Sequence, residues 1–587
     1  MRVRCRIVGV CASLLPAAAQ AATLYVAPTG SDANAGTSAA APLASMAKAQ
    51  ELAKAGDTVL FRGGSYAFTH GTTACKSGTD TISGVLLDKN GTALAPLNYF
   101  AYPGETPIFD FDGIRDACRI KGILVSGSYL HLRGLELRGV RQNNDLNHES
   151  WGVWNQGSHN TFEALNVHHI MGAGIFIQHG SDNLVLNCDS HHNFDEHTSN
   201  GAGESADGFG CHVADGETGN VIRGCRAWWD ADDGFDFINA RAACTVEYSW
   251  AWFNGYKPDT MQGIGNGNGF KGGGYGADPT QFPPTPAQHS VRFCLAFANK
   301  AAGFYANHHP ISELFYNNTS YANHPDFNML GMDAAGSDIT VGVYRNNIAL
   351  GGALFSNRSA ADDADNSWSI AGLMVSDADF QSVATTGMDA PRQADGSLPL
   401  LPNFRLAAGS DLIDAGTDLK FPYVGKAPDL GAFEVGASAP GGLAGGGGSS
   451  GAATGGTVAT LGGAANGLAG DGAAAPTAAG TMAAGGAVAA GGAVTTAGGA
   501  VATGGVAGVG SGAGAGPMTL TPVGSSGDVS TPSESSGCGC LFATRRRPER
   551  GKLVWSALAF AWLVRRRMAG SSAGRSAAKS GQKSVMR

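Results

Sequence analysis

The sequence predicts an all-β chain built as a parallel β-helix, a solenoid of short stacked strands. Two observations carry that expectation. First, a short alternating strand, a polar turn and another short strand recur along the body, as in LNCDSHHNFD (186–195), RGCRAWWDADDGFDF (223–237), YSWAWFNGYK (248–257), RFCLAFANKAAGF (292–304) and YNNTSYANHPDF (316–327). Aligning the polar turn residues Asn193, Asp230, Asn254, Asn299 and Asn323 gives a base period of about 22–25 residues with two longer insertions. Second, the strands are rich in β-branched, aromatic and Cys residues, with no leucine ladder and no 3.6-residue periodicity, which argues against leucine-rich and helical repeats. A β-sandwich would also place strands at this spacing. The repeating Asn turns favour the solenoid, because an Asn in one turn can hydrogen-bond to its equivalent in the next coil.

Taken in chain order, MRVRCRIVGVCASLLPAAAQAA (1–22) has a basic start, an apolar stretch and Ala19-Gln20-Ala21, the pattern of an export signal. Residues 23–66 fit a first turn and cap. Within them SMAKAQELAK (45–54) is a short amphipathic helix suited to covering the open end of a solenoid. The folded domain is expected over 23–435, with LIDAGTDL and APDLGAFEV (412–435) closing it. Residues 436–537 collapse to Gly, Ala, Thr, Ser and Val and account for many of the 88 glycines. Such a stretch has no apolar face and reads as a disordered linker. Residues 538–567 hold Cys538 and Cys540, an apolar run at 553–564 and Arg565-Arg566-Arg567, and 568–587 form a disordered tail. The apolar run is short for a membrane span, which needs about 20 residues.

The formal charge of −9 argues against a nucleic-acid protein, which would usually carry a basic patch. A polyanionic ligand stays possible if basic residues or a metal line its groove. Of the domain cysteines, Cys75 and Cys118 are the expected disulfide. Cys188, Cys225 and Cys294 are read as buried free thiols.

The densest chemistry lies in DADDGFDF (230–237). On a flat strand Asp232 and Asp236 would share a face and Asp233 would point away, so convergence requires a bend, which Gly234 permits. Asp207 lies about one coil earlier, and stacking would set it beside the cluster. Asp230 reads as a turn residue standing in for Asn. Four carboxylates on a rigid scaffold suit a hard cation such as Ca2+. One coil on, GIGNGNGFKGGGYG (263–276) places Lys271 among glycines. It lacks the strand-to-helix context of a phosphate loop. Its glycines read as room for a polymer to approach the backbone.

At these residues the chain resembles polysaccharide lyase family 9, whose known members include pectate lyases. The likeness rests on CDSHHNFDEHTSNGAGESADGFGCH (188–212), DADDGFDF and GNGFKGGG (267–274). The resemblance implies a ten-coil right-handed β-helix. It implies Asp207, Asp232, Asp233 and Asp236 as Ca2+ ligands and Lys271 as the base that removes a C5 proton from a uronate. The match is complete at those five positions; the surface loops and the long C-terminal extension depart from it. The expected substrate is an acidic polysaccharide, polygalacturonate, cleaved by β-elimination by a monomer. A neutral lysine is needed, so an alkaline activity optimum is expected. Alternatives from other classes are a lyase on another acidic glycan, a β-helix glycoside hydrolase using paired carboxylates, and a calcium-binding adhesin without catalysis.

His212 is expected to pack near Asp207. Arg241, Lys257 and Lys300 are candidate substrate contacts or surface charges. Trp228, Trp229, Trp250 and Trp252 are candidate sugar platforms or packing residues. The His168-His169, His191-His192 and His308-His309 doublets are expected to point to opposite faces. The order Cys-Gly-Cys, apolar run, Arg cluster resembles a myxobacterial C-terminal sorting signal. That implies a secreted or surface-anchored protein with a possible C-terminal tether.

Overall fold

Three parallel sheets run through the folded region. In the computed structural model they are described over residues 21–437 except 77–80, 143–148, 199–200, 353–354 and 358–362. Most of the expected export signal, nearly all of the expected linker, and the segments expected to form a sorting signal and a tail fall outside the described residues. No helix among the described residues is long and apolar enough to cross a membrane.

The first sheet stacks strands from Thr23–Val26 to Val343–Arg345, the second from Gly64–Ala67 to Ile348–Leu350, and the third from Thr81–Leu87 to Phe355–Ser356. After Thr23–Val26, which belongs to the first sheet alone, each coil gives one strand to each sheet. Leu184–Leu186, Asp189–His191 and Phe209–Cys211 form one coil. Asn220–Arg223, Arg226–Trp228 and Phe235–Asp236 form the next, followed by Cys244–Glu247, Trp250–Trp252 and Phe270–Lys271. Strand partners are thus successive turns of one chain, the defining topology of the predicted β-helix.

The aligned turn residues do form one ladder. Asn193 Nδ2 donates to Asp230 Oδ1 at 2.8 Å, the Asp230 amide donates to Asn254 Oδ1 at 3.1 Å, and Nδ2 of Asn254 and of Asn299 donate to Oδ1 of the next rung at 3.0 Å each, ending on Asn323. Inside the barrel, Phe209, Phe235, Phe270, Phe304 and Phe327 stack face to face with centroids 4.7 to 5.1 Å apart. These rings are fully buried, and their regular stacking holds successive rungs of the third sheet in register.

Ser45 caps the predicted helix, which spans Met46–Leu52: its Oγ accepts the Lys48 amide at 3.1 Å. It buries Met46 and Ala49 in the main core. The 412–435 segment lies on the barrel's flank. Leu412, Leu430 and Phe433 pack with Phe404 over Trp228, Trp250, Trp252, Leu295 and Phe297 of the second sheet. Those three tryptophans are therefore packing residues beneath the chain's own C-terminal segment.

Cys75 and Cys118 form the expected disulfide, and Cys211–Cys244 forms a second that the spacing did not suggest. Cys188, Cys225 and Cys294 are free and buried, and the Sγ of Cys188 and of Cys225 accept backbone amides from the preceding coil. They occupy the ladder position that Asn318 and Asn347 fill further along.

Candidate active site

Each stacked phenylalanine is followed by a residue that points out of the barrel, as strand alternation requires. Register therefore places Trp154, Phe176, Gly210, Asp236, Lys271, Tyr305 and Asn328 in one row on the outer face of the third sheet. Asp236 and Lys271 are direct neighbours in it. Lys271 Nζ lies 3.1 Å from Asp236 Oδ2 and 3.0 Å from Asp233 Oδ2. The lysine is only 5 % exposed, yet it lies on the outer side of the sheet, with Phe270 taking the inward place.

Asp207, Asp232 and Asp233 offer carboxylate oxygens all within 4.8 Å of one another. The stacking partner of Asp207 is Asp233 rather than Asp232. The Gly208 amide donates to Asp233 O, and the Asp233 amide donates to Asp207 Oδ1 at 3.2 Å. The predicted cluster is thus assembled, with Asp236 joined to it through Lys271. Burial, then the charges of Asp232, Asp236 and Asp233, push the Asp207 carboxyl well above the usual range. Burial and Asp233 do the same to Asp232, and burial raises Asp233. Buried like charges this close are costly without a cation.

Gly234 plays a different part from the bend expected of it. Its backbone is outside the left-handed region. A Cβ there would come within 2.8 Å of Asn254 Nδ2 and of Gly269 O. Glycines at 208, 269 and 303 face ladder residues Asp230, Asn299 and Asn323 in the same way. The glycines around Lys271 also pack against the protein itself. A Cβ on Gly272 or Gly273 would meet the Glu313 carboxyl, and one on Gly274 would meet Asn307 O. Close packing between coils, not room for a polymer, accounts for them.

Two residues the sequence reading passed over complete the cluster. The Asn266 amide donates to Asp232 Oδ1 at 2.8 Å. Asn268 donates to Asp233 Oδ1 from its amide at 2.6 Å and from Nδ2 at 2.8 Å. Asn266 Nδ2 also donates to Glu204 Oε2 at 3.2 Å, tying a further half-buried carboxyl to the rim. The signal was the GNGNGF run itself, in which each Asn lies between glycines.

His212 is half-buried against Phe176, with ring centroids 4.4 Å apart. Burial and the nearby Lys271 charge pull its pKa down to about 3, so it is a neutral packing group. Arg241 lies 4.0 Å from Asp215, Lys257 lies over Phe194 and Lys300 donates to Gly265 O. In two of the doublets the histidines meet instead of diverging: His168 and His169 are 2.7 Å apart at Nδ1, and His191 and His192 are 2.8 Å apart. Left-handed backbone at His169 and His192 swings the second ring round. His309 faces the interior with His289 and Glu313, a second grouping of potential ligands. There Nδ1 of His289 accepts the Cys244 amide, and Nδ1 of His309 accepts the Gly274 amide. Both rings are thereby set as Nε2–H tautomers, leaving no open lone pair for a metal.

Residues 24–347 match the Pel9A-like, right-handed β-helix region. The chain belongs to this family. It is 36 % identical over 420 residues to pectate lyase L of Dickeya chrysanthemi, covering 70 % of this chain and 90 % of that protein. It is 32 % identical over 437 residues to pectate lyase PEL9 of Emericella nidulans, covering 70 % and 98 %. Among solved structures, a rhamnogalacturonan lyase superposes with TM-score 0.61 at 32 % identity, covering 66 % of this chain and 97 % of that one. Pectate lyase Pel9A superposes with TM-score 0.57 at 33 % identity, covering 70 % and 96 %. The right-handed helix expected from the sequence is the family's fold.

Proposed function

We propose that this polysaccharide lyase is a Ca2+-dependent pectate lyase that cleaves polygalacturonate by β-elimination, with Lys271 as the base. The observation that carries the reading is the Lys271 amine held 3.0 and 3.1 Å from two carboxylates on the outer row of the third sheet. The cluster suits a hard cation: Asp207, Asp232 and Asp233 are buried, their oxygens are grouped, and the donors are all carboxylate. Asp207, Asp232, Asp233 and Asp236 would hold Ca2+, which when bound supplies positive charge against the substrate carboxylate and the charge that develops at C5.

The chain's own residues do the rest. Lys271, as a neutral amine, takes the C5 proton; the C5–H electron pair forms the C4=C5 double bond as the C4–oxygen bond breaks, and the departing oxygen takes a proton from solvent to leave as a hydroxyl. Asp233 and Asp236 aim the amine. Asn266 and Asn268 fix the carboxylates they bond. Phe270, locked in the ring stack, sets the strand direction from which Lys271 projects. A lysine base, with a reference pKa of about 10.4, predicts activity that climbs into the alkaline range; a flat profile from pH 6 to 10 argues against it.

A second reading, a lyase on another acidic glycan, draws support from the superposition on a rhamnogalacturonan lyase. Ultraviolet absorbance of unsaturated product, measured on polygalacturonate and on rhamnogalacturonan with Ca2+ or with chelator, separates the two. Absence of product on both sinks the lyase reading; binding without product favours an adhesin.

Export with retention at the surface is also part of the proposal. It rests on residues 1–22 and 538–567, and mass spectrometry of the mature protein would locate both ends.

A further inference from the structure

The catalytic row does not stop at Asp236. Beyond Gly210 it continues through Phe176 to Trp154. These residues belong to a small apolar cluster of Trp151, Ala173 and Phe176, with Trp154 packed against it, on the outer face of the sheet and separate from the barrel core. Trp154 stacks on Phe176 with centroids 5.0 Å apart and ring planes 8° apart. A Cβ on Gly210 would collide with the Phe176 ring at 2.5 Å, so glycine there lets this ring lean toward Asp236.

Two cations sit at the far end. Lys121 Nζ lies 4.0 Å from the centre of the Trp154 ring and 5.6 Å from that of Trp151. Arg119 lies 4.3 Å over Trp151. Arg119 is paired with Glu149, whereas Lys121 forms no ion pair with any described acidic residue. Its charge is faced by Arg119, and burial followed by that arginine lowers its pKa to about 8. Among the described residues, this half-buried ammonium has ring faces and a like charge beside it and no anion.

We infer that Lys121, seated on Trp154, is a remote subsite that takes a carboxylate of the acidic glycan whose other end lies at Lys271. Four strand steps of about 4.8 Å separate Trp154 from Lys271, which makes the span roughly 19 Å. A polymer of several uronate rings laid along the solenoid axis reaches both, and a short oligomer does not. This rests on the acidic-polysaccharide reading above.

The test compares long polygalacturonate with trigalacturonate at pH 7, where Lys121 is charged, for Lys121→Met, Lys121→Glu and Lys121→Arg. The methionine variant is expected to raise KM for the long polymer roughly three- to tenfold, and the glutamate variant more. The trimer's KM and both kcat values stay at wild-type level, and arginine restores the polymer KM. The same ranking is expected for calorimetric binding of an octamer in a Lys271→Ala background. An unchanged polymer constant, or equal shifts for polymer and trimer, overturns the subsite. If the wild type releases no product from any acidic polymer, the lyase reading falls. The octamer titration still decides the subsite: weaker binding by the glutamate variant supports it, and unchanged binding overturns it.

Discussion

Lys271 Nζ is 3.0 Å from Asp233 Oδ2, across one rung of the third sheet. The proposed base is thus itself a counter-ion of two proposed metal ligands. Removing it should have two opposite effects. Lys271→Ala is expected to lower lyase activity by roughly 10²- to 10⁴-fold, the usual worth of a general base. It should also tighten Ca2+ binding, because a competing positive charge is gone. Calorimetric titration with Ca2+ beside the absorbance assay checks both. Retained activity removes Lys271 from the mechanism, and weaker Ca2+ binding removes the shared-carboxylate geometry.

The same carboxylates should make stability depend on Ca2+. An ion bound only by the native state stabilises by about 2.7 kcal/mol at a concentration 100 times its Kd. Thermal unfolding in excess Ca2+ should therefore exceed that in chelator by several degrees. Asp207→Asn should shrink the increment, since it removes one of the three grouped carboxylates. A wild-type Tm indifferent to Ca2+ and chelator would contradict a site formed by these aspartates.

Cys211–Cys244 joins neighbouring coils at the edge of the site and closes a separation of 33 residues. Cys211 directly follows Gly210 of the outer row that holds Asp236 and Lys271. Replacing both cysteines by serine is expected to cost about 3–4 kcal/mol through loop entropy alone, read from denaturant unfolding. A loss under 1 kcal/mol would mean that strand pairing already restrains this loop in the unfolded ensemble.

Much of this architecture was legible in the sequence because a solenoid repeats itself. The polar residues at 193, 230, 254, 299 and 323 align into a hydrogen-bonded ladder because one position per coil faces the same turn. The five proposed site residues come together for the same reason. What escaped was set by contacts between coils. The sequence set Asp207 beside the cluster without choosing its partner, and the strand register makes that partner Asp233. Gly234 looked like a hinge, yet Asn254 and Gly269 crowd it from the next coil. The His168-His169 and His191-His192 pairs broke strict alternation because their second residues adopt left-handed backbone. The Cys211–Cys244 disulfide links positions whose proximity depends on insertion lengths that periodicity alone does not supply.

Asp230 tests the ladder itself. It stands where its neighbours are Asn193 and Asn254, and it is fully buried. Its Oδ1 accepts from Asn193, while Oδ2 has no hydrogen-bond partner. At the next rung Asn254 Nδ2 donates to the Ala227 carbonyl at 3.3 Å, and strand pairing makes Ser190 the equivalent of Ala227. An asparagine at 230 would have a donor for that carbonyl; an ionised aspartate has none. Burial holds the Asp230 carboxyl well above its usual range, so the native state keeps its proton where the unfolded chain has lost it. The sign follows: the native state binds more protons, and stability falls as pH rises from about 4, the unfolded value, toward the raised native one. Asp230→Asn removes that slope. The variant should nearly match the wild type near pH 4 and become more stable than it by about 1–2 kcal/mol at higher pH, measured as denaturant midpoints across the range. A constant difference at every pH would show that Asp230 does not exchange its proton on folding. A less stable variant at every pH would mean that the aspartate makes a contact an amide cannot replace.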